Sequence, residues 1–245
     1  MATVELFKYN KFYTTINNSS IKNFTIYGER HSGTKWLEKL ISRSFDIPVT
    51  WKYEHKHFFG CCDWEKLNIA KNTLFIGIVR NIYNWIGGMR KMPYHLSSKN
   101  VIDIRPWQSN IGITPHGSFC DSHWYTKKKY ADIFDMRSDK VEFLYLYMPY
   151  LVDNYIFIRY EDLIENTKDI LQLISILYKL NIHKNKYQIG DKSKIPLYKL
   201  SEYYFKSIND RTKWKTENMI GYSKILQPQE NYRVSKEYGL SSRYR

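Results

Sequence analysis

Phe24-Thr25-Ile26-Tyr27-Gly28-Glu29-Arg30-His31-Ser32-Gly33-Thr34-Lys35-Trp36 is the stretch on which the fold turns. Phe24 to Tyr27 reads as a short buried strand, and Gly28 to Gly33 as a glycine loop. From Thr34 to Ser44, Trp36, Leu37, Leu40 and Ile41 recur at helical spacing on one face. A strand that runs through a glycine loop into a helix is a setting in which backbone N–H groups and the positive end of the helix dipole cradle an anion.

Working outward, the strand and helix signals alternate. Val49 to Tyr53 predicts a second strand. Thr73 to Val79 predicts a third, apolar throughout as a strand covered on both faces should be. Ile82 to Met89 reads as a helix, weakened by Gly87 and Gly88. Met92 to Phe119, rich in Pro and Gly, is expected to be a long ordered loop. Helices follow at His123 to Phe134 and Asp139 to Tyr147, a strand at Tyr155 to Ile158, and an amphipathic helix at Lys168 to Leu180. Such alternation predicts an α/β fold with a central, mostly parallel sheet flanked by helices. With no internal repeat and no Pro/Gly/Ser linker, the expectation is a single P-loop-type domain over residues 1–245.

The 245 residues carry a formal charge of +14, with a pI near 9.4. Such an excess favours a polyanionic partner, although abundant Lys, Asn, Ile and Tyr also fit a biased genome composition. Nothing from Met1 to Asn18 resembles a secretory leader, and Phe143 to Ile158 is interrupted by Pro149, Asp153 and Asn154, so no membrane partner is expected. Three cysteines, two of them adjacent, argue against a disulfide framework and for a reducing, cytoplasmic location.

Gly28 and Gly33 have the spacing of a nucleotide-binding P-loop, but the ATP-type loop places Lys directly after the second glycine. Here Thr34 comes first and Lys35 second, about 100° further round the helix. Ser32-Gly33-Thr34-Lys35-Trp36, preceded by Arg30 and His31, resembles the 5′-phosphosulfate loop of the sulfotransferase superfamily. The resemblance extends to a Gly-Glu-Arg subset found in bacteria and viruses, and by motif it covers residues 24 to 165. It implies that 3′-phosphoadenosine 5′-phosphosulfate is the donor, 3′-phosphoadenosine 5′-phosphate the product, and no metal is required. Main-chain amides from Ser32 to Lys35, with the hydroxyls of Ser32 and Thr34, would hold the 5′ end. His31 stands where the family has Lys or Arg, with Arg30 and Lys35 as substitutes, and Trp36 matches the position that stacks on adenine.

Two further strand ends extend the resemblance. Arg80 matches a family Arg that grips the 3′-phosphate, and its guanidinium suits paired, charge-assisted hydrogen bonds. The family's serine partner is replaced here by Gly88. Arg159-Tyr160-Glu161-Asp162-Leu163 is similar to another family segment, in which the tyrosine lies near adenine. Tyr160 is therefore a binding candidate, while Glu161 and Asp162 are expected to be structural, capping the next helix and tying it to its neighbours.

His55-Lys56-His57 supplies a base and a cation for sulfuryl transfer. Histidine titrates near neutrality and suits removal of the acceptor proton, while lysine offsets charge on the leaving phosphate. Many sulfotransferases have Lys and His here, and on that resemblance His57 is the first choice as base, His55 the second and His95 the next. The segment Met89 to His95 is a candidate lining for the acceptor pocket. Among late basic residues, Lys206, Arg211, Lys213 and Lys215 are candidates for closing on the 3′-phosphate. The acceptor is expected to be a small molecule or glycan with a hydroxyl or amine. The rival readings are a MgATP-dependent P-loop kinase and a non-catalytic nucleic-acid-binding protein. Against the first stand the displaced Lys35 and the absence of an Asp at the end of the third strand. Against the second, the basic residues are dispersed rather than gathered in a binding motif, so no nucleic-acid partner is expected.

Overall fold

The computed structural model describes residues 2–3, 14–16, 20–53, 56–57, 64–91, 126, 130, 132–183, 200 and 202–226. Five strands form one sheet in the order β1-β2-β5-β4-β3. They are β1 (Ala2–Thr3), β2 (Thr14–Ile16), β3 (Asn23–Gly28), β4 (Thr73–Val79) and β5 (Tyr155–Arg159). Strands β3, β4 and β5 run parallel, whereas β2 adds to β5, and β1 to β2, in antiparallel fashion. The protein is therefore α/β, with a small three-stranded parallel sheet at its centre.

Period two in the strands decides which layer each residue joins. Phe24, Ile26, Leu74, Ile76, Ile78, Ile156 and Ile158 face one layer, against Leu37 and Ile41 of α1 (Thr34–Ser44) and Ile170 and Ile174 of a later helix, Thr167–Tyr178. Tyr27, Phe75, Val79, Tyr155 and Phe157 face the other layer. There they meet Leu67 of α2 (Trp64–Asn68) and Val141 of α4 (Ile133–Glu142), with Phe143 and Leu144 of the π-helical turn that continues it and Met148 of α5 (Met148–Leu151). Every residue of β4 is buried. That accounts for its unbroken apolar sequence.

A third hydrophobic cluster lies beside the sheet. It joins α3 (Ile82–Lys91) to Ile133, Phe134 and Met136 of α4, and to Phe205 and Ile208 of α8 (Glu202–Arg211). The remaining helices among the described residues are α6 (Tyr160–Glu165), α7 (Thr167–Tyr178) and α9 (Trp214–Met219).

Three expectations from sequence need correction. Val49 to Tyr53 is not a strand; only Val49 forms a parallel bridge, to Phe24. Most of the helix expected from His123 to Phe134 lies outside the described residues; Thr126, Tyr130 and Asp132 are not helical, and α4 begins at Ile133, where the Asp132 carboxylate accepts hydrogen bonds from the amides of Phe134 (2.9 Å) and Asp135 (2.8 Å). The break expected before Asp139 is absent, since helical backbone is continuous from α4 through the π turn into α5. The expected loop from Met92 to Phe119 lies outside the described residues.

The Val49 bridge nonetheless fixes the topology. Phe24 donates to the Pro48 carbonyl (3.0 Å) and accepts from Thr50 (2.7 Å), so residues 48–50 sit on the edge of β3 away from β4. The chain thus leaves β3 through α1 to one side, then returns through α2 to β4 on the other. Such a reversal beside one strand is a switch point, and ligands in parallel sheets gather at the carboxyl ends of strands at that place. The register aligns those ends: Gly28 lies opposite Ile78, and Val79 opposite Arg159.

Candidate functional site

Three loops meet at this edge of the sheet. In the first, Ser32 turns the chain by donating from both its amide (3.1 Å) and its hydroxyl (2.6 Å) to the Glu29 carbonyl. Neighbouring carbonyls are held as well. His57 Nδ1 lies 2.7 Å from the Gly28 oxygen, Trp85 Nε1 donates to Arg30 (2.9 Å), and Arg80 Nη1 donates to His31 (3.2 Å). The loop's acceptors are thus drawn into the protein by donors from three other segments.

Gly33 follows at φ 96°, a left-handed conformation open chiefly to glycine. A Cβ here would stand 2.4 Å from Cδ2 of Tyr160, so the tyrosine ring packs directly on the loop. As N-cap of α1, Gly33 offers no side-chain acceptor, and the helix has no acidic residue in its first turn. The opening amides of α1 therefore lack an anionic cap of their own while keeping the partial positive charge of a helix start.

His31 also has positive φ, 63°, which is uncommon away from glycine and costs about 1–3 kcal/mol. Its imidazole lies over Gly88, where a Cβ would come within 2.9 Å of the ring Cγ. A serine at position 88 would collide with His31. The two departures from the family pattern thus meet in space, each accommodating the other.

The second and third loops bring Arg80 and Tyr160. The Arg80 guanidinium lies 4.8 Å from the centroid of Tyr160, and Trp36 meets the same ring edge-on at 6.0 Å. Behind Arg80, its carbonyl accepts from Arg137 Nη2 (2.7 Å), and the next amide, of Asn81, donates to Glu161 Oε1 (2.9 Å). Arg137 is itself held by Glu217 through Nε (2.5 Å) and Nη2 (2.9 Å), with all three groups buried in the protein. The carboxyl of Glu161 is pushed above its usual range chiefly by burial, opposed by its bonds to Tyr222 and Asn81. Burial and the neighbouring carboxylate hold the Tyr222 hydroxyl well above the usual phenol range.

Glu161 and Asp162 lie in the first turn of α6 and tie it to its neighbours, the structural part expected of them. Asp162 makes a two-pronged pair with Arg159 (2.6 and 2.5 Å), while Glu161 links the Arg80–Asn81 junction to Tyr222. Two of the late basic residues are committed elsewhere: Arg211 pairs with Asp132 and Lys213 with Asp135, each at 2.5 Å. From the segment reasoned to line an acceptor pocket, Met89 is core and Arg90 stacks 3.9 Å from the Tyr204 ring. Met92 to His95 lie outside the described residues.

Of the expected site residues, Arg30, Ser32 and Thr34 are buried in the loop, Lys35 is exposed, and Trp36 is half-buried. The amide of Gly28 donates to the Lys56 carbonyl (2.9 Å), which docks Lys56 and His57 against the end of β3. Lys56 Nζ points to Glu38 of α1 (3.4 Å) and lies 5.3 Å from the Trp51 ring. His55 lies outside the described residues. A ring nitrogen facing a carbonyl oxygen must donate, so Nδ1 of His57 carries a proton and the neutral ring keeps its lone pair at Nε2.

Residues that sequence reasoning passed over complete the site. Lys140 of α4 is buried and reaches both Glu29 Oε1 and the His57 carbonyl, each at 2.9 Å. Glu29, Lys140, Arg137 and Glu217 belong to long-range pairs, for which neither spacing nor periodicity provides a signal. Comparison with family models, curated proteins and solved structures found no match to this chain. Chemically, the arrangement offers uncapped helix amides, an arginine braced from behind, an aromatic pair and a histidine oriented as a proton acceptor.

Proposed function

We propose that this protein is a sulfotransferase of P-loop type, transferring a sulfuryl group from 3′-phosphoadenosine 5′-phosphosulfate to a hydroxyl or amine. The observation that carries the reading is the meeting of three strand ends on one loop: Gly33 against Tyr160, Arg80 against Tyr160, and His57 on Gly28. The residues fit the donor at most points. The amides that open α1 suit its phosphosulfate end, Arg80 suits the 3′-phosphate, and Trp36 with Tyr160 suits adenine. They fit less well at Gly88, which lacks the hydroxyl of the family serine. His31 fills the adjoining space instead.

The donor supplies an activated sulfur. The acceptor oxygen or nitrogen bonds to that sulfur as the sulfur–oxygen bond to the nucleotide breaks, and the nucleotide leaves with the electron pair. His57 takes the acceptor's proton at Nε2 in this reading, an arrangement of the kind general-base catalysis requires. Arg80 and the helix amides counter charge on the departing bisphosphate.

Incubating the protein with labelled donor and a panel of phenols, sugars and amines tests the activity. Label should pass to at least one acceptor, and His57→Ala should lower that turnover by ~10²-fold or more, with His55→Ala milder. Transfer at wild-type rate by both variants would place the base elsewhere. No transfer to any class of acceptor, with the bound nucleotide intact, would remove the enzymatic reading.

A further inference from the structure

Lys140 and Glu29 are almost fully enclosed, at 3% and 2% exposure. Burying a lysine and a carboxylate together is seldom a gain in stability, because their desolvation cancels much of their attraction, and an apolar pair of similar volume often serves a core as well or better. What an apolar pair cannot supply is a hydrogen-bond donor. Here, among the described residues, the ammonium donates a hydrogen bond to the His57 carbonyl (2.9 Å) and forms an ion pair with Glu29 Oε1 (2.9 Å). Glu29 directly follows Gly28, and Gly28 holds the same segment at two further points. Its amide donates to the Lys56 carbonyl (2.9 Å), and its carbonyl accepts from His57 Nδ1 (2.7 Å).

These contacts form a closed ring. It runs from Lys140 to Glu29, along the chain to Gly28, across to the His57 side chain, and back from the His57 carbonyl to Lys140. Both the backbone and the ring of His57 are fixed against β3. We propose that Lys140 is a positioning residue for His57: with Glu29 it clamps residues 56–57 onto the glycine loop, which keeps Nδ1 bonded to the Gly28 carbonyl and Nε2 as the proton acceptor. The inference rests on the reading of His57 as base for its catalytic meaning, but not for its geometry. Lys140 itself need not touch substrate.

The ring tautomer is the readout, because a merely structural lysine would not alter it. Nitrogen chemical shifts of the His57 imidazole distinguish the two neutral forms in the full-length protein above the pH of histidine titration. Wild type should show the Nδ1–H form predominantly. Glu29→Gln/Lys140→Met removes both charges and the donor, and should shift His57 largely to the Nε2–H form common in unconstrained histidines. Glu29→Gln/Lys140→Gln removes the charges but keeps an N–H donor, and should retain most of the Nδ1–H form. An unchanged tautomer in the methionine variant overturns the proposal, as does an equal shift in both variants. If the methionine variant gives no cooperative melt, the glutamine variant decides alone: the Nδ1–H form kept supports the clamp, and its loss overturns it. Titration of wild type with 3′-phosphoadenosine 5′-phosphate runs alongside. Failure to bind there counts against the sulfotransferase reading and leaves the tautomer result standing.

Discussion

Helix α4 begins at Asp132, whose carboxylate accepts from the amides of Phe134 and Asp135, with a second acid, Asp135, in the first turn. Helix α1 begins at Gly33, which has no side chain, and no acid follows in its first turn. Both starts carry the same partial positive charge. In α4 the chain meets that charge itself, and then meets the acids in turn with Arg211 and Lys213. In α1 it does not. Tyr160 packs against Gly33, and Arg80 stacks on Tyr160, so cationic and aromatic groups surround a helix start that has no anion of its own. One helix start is met by its own acids; the other, on the proposed reading, would be met by a bound anion.

The largest effect expected falls on the brace between these regions. Glu217→Ala leaves Arg137, which reaches from α4 to the Arg80 carbonyl, charged and buried without its carboxylate. Breaking such a pair costs about 3–5 kcal/mol. Chemical denaturation should show that loss. A change below about 1 kcal/mol would mean that the pair is not the buried brace described.

Arg80→Ala comes next and sharpens the claim for α1. It should weaken binding of 3′-phosphoadenosine 5′-phosphate by ~1.5–3 kcal/mol, roughly tenfold to over a hundredfold, and binding of AMP far less. Calorimetric titration of both nucleotides gives the answer. Equal losses would assign Arg80 to the fold or to a group that the two nucleotides share.

Asp132→Ala probes the other helix. Loss of an N-cap costs about 1 kcal/mol of stability, and nucleotide affinity should stay unchanged. A parallel fall in affinity would break the distinction between the two starts.

Much of this was legible in the sequence because the deciding signals are local. Apolar runs marked β3, β4 and β5, and glycines bracketed the loop. Lys56 and His57, which the sequence singles out, dock on Gly28. Strands β1 and β2 were missed, since Ala2–Thr3 and Thr14–Ile16 are too short to show a period and exist by pairing with distant partners. The start of α4 at Ile133 was not read, although Asp132, followed at Asp135 by a second acid, is a readable N-cap signature. The Arg137–Glu217 and Lys140–Glu29 pairs had no local signature at all. Neither did the fit of His31 over Gly88, which appears only when the loop and α3 are packed together.

A smaller effect should appear in pH dependence. Burial raises the Glu161 carboxyl above its ordinary 4.5, so the folded state holds that proton more tightly than the unfolded state does. The stability this adds is fully present below the ordinary value and is lost as pH rises through the raised one. Unfolding free energies of wild type and Glu161→Gln, compared from acid to neutral pH, should converge or cross in that sense. A difference that grows in wild type's favour as pH rises would show that the carboxylate form is the one the fold prefers.

The central claim is that the open start of α1, with Arg80 and Tyr160, receives a nucleotide phosphorylated at both 5′ and 3′ positions. Titrating the full-length protein with 3′-phosphoadenosine 5′-phosphate in the presence of a chelator, beside MgATP without it, tests this directly. The account predicts saturable binding of the bisphosphate at one site with no metal, tighter than that of MgATP. Binding of MgATP with none of the bisphosphate, or of neither, would contradict it.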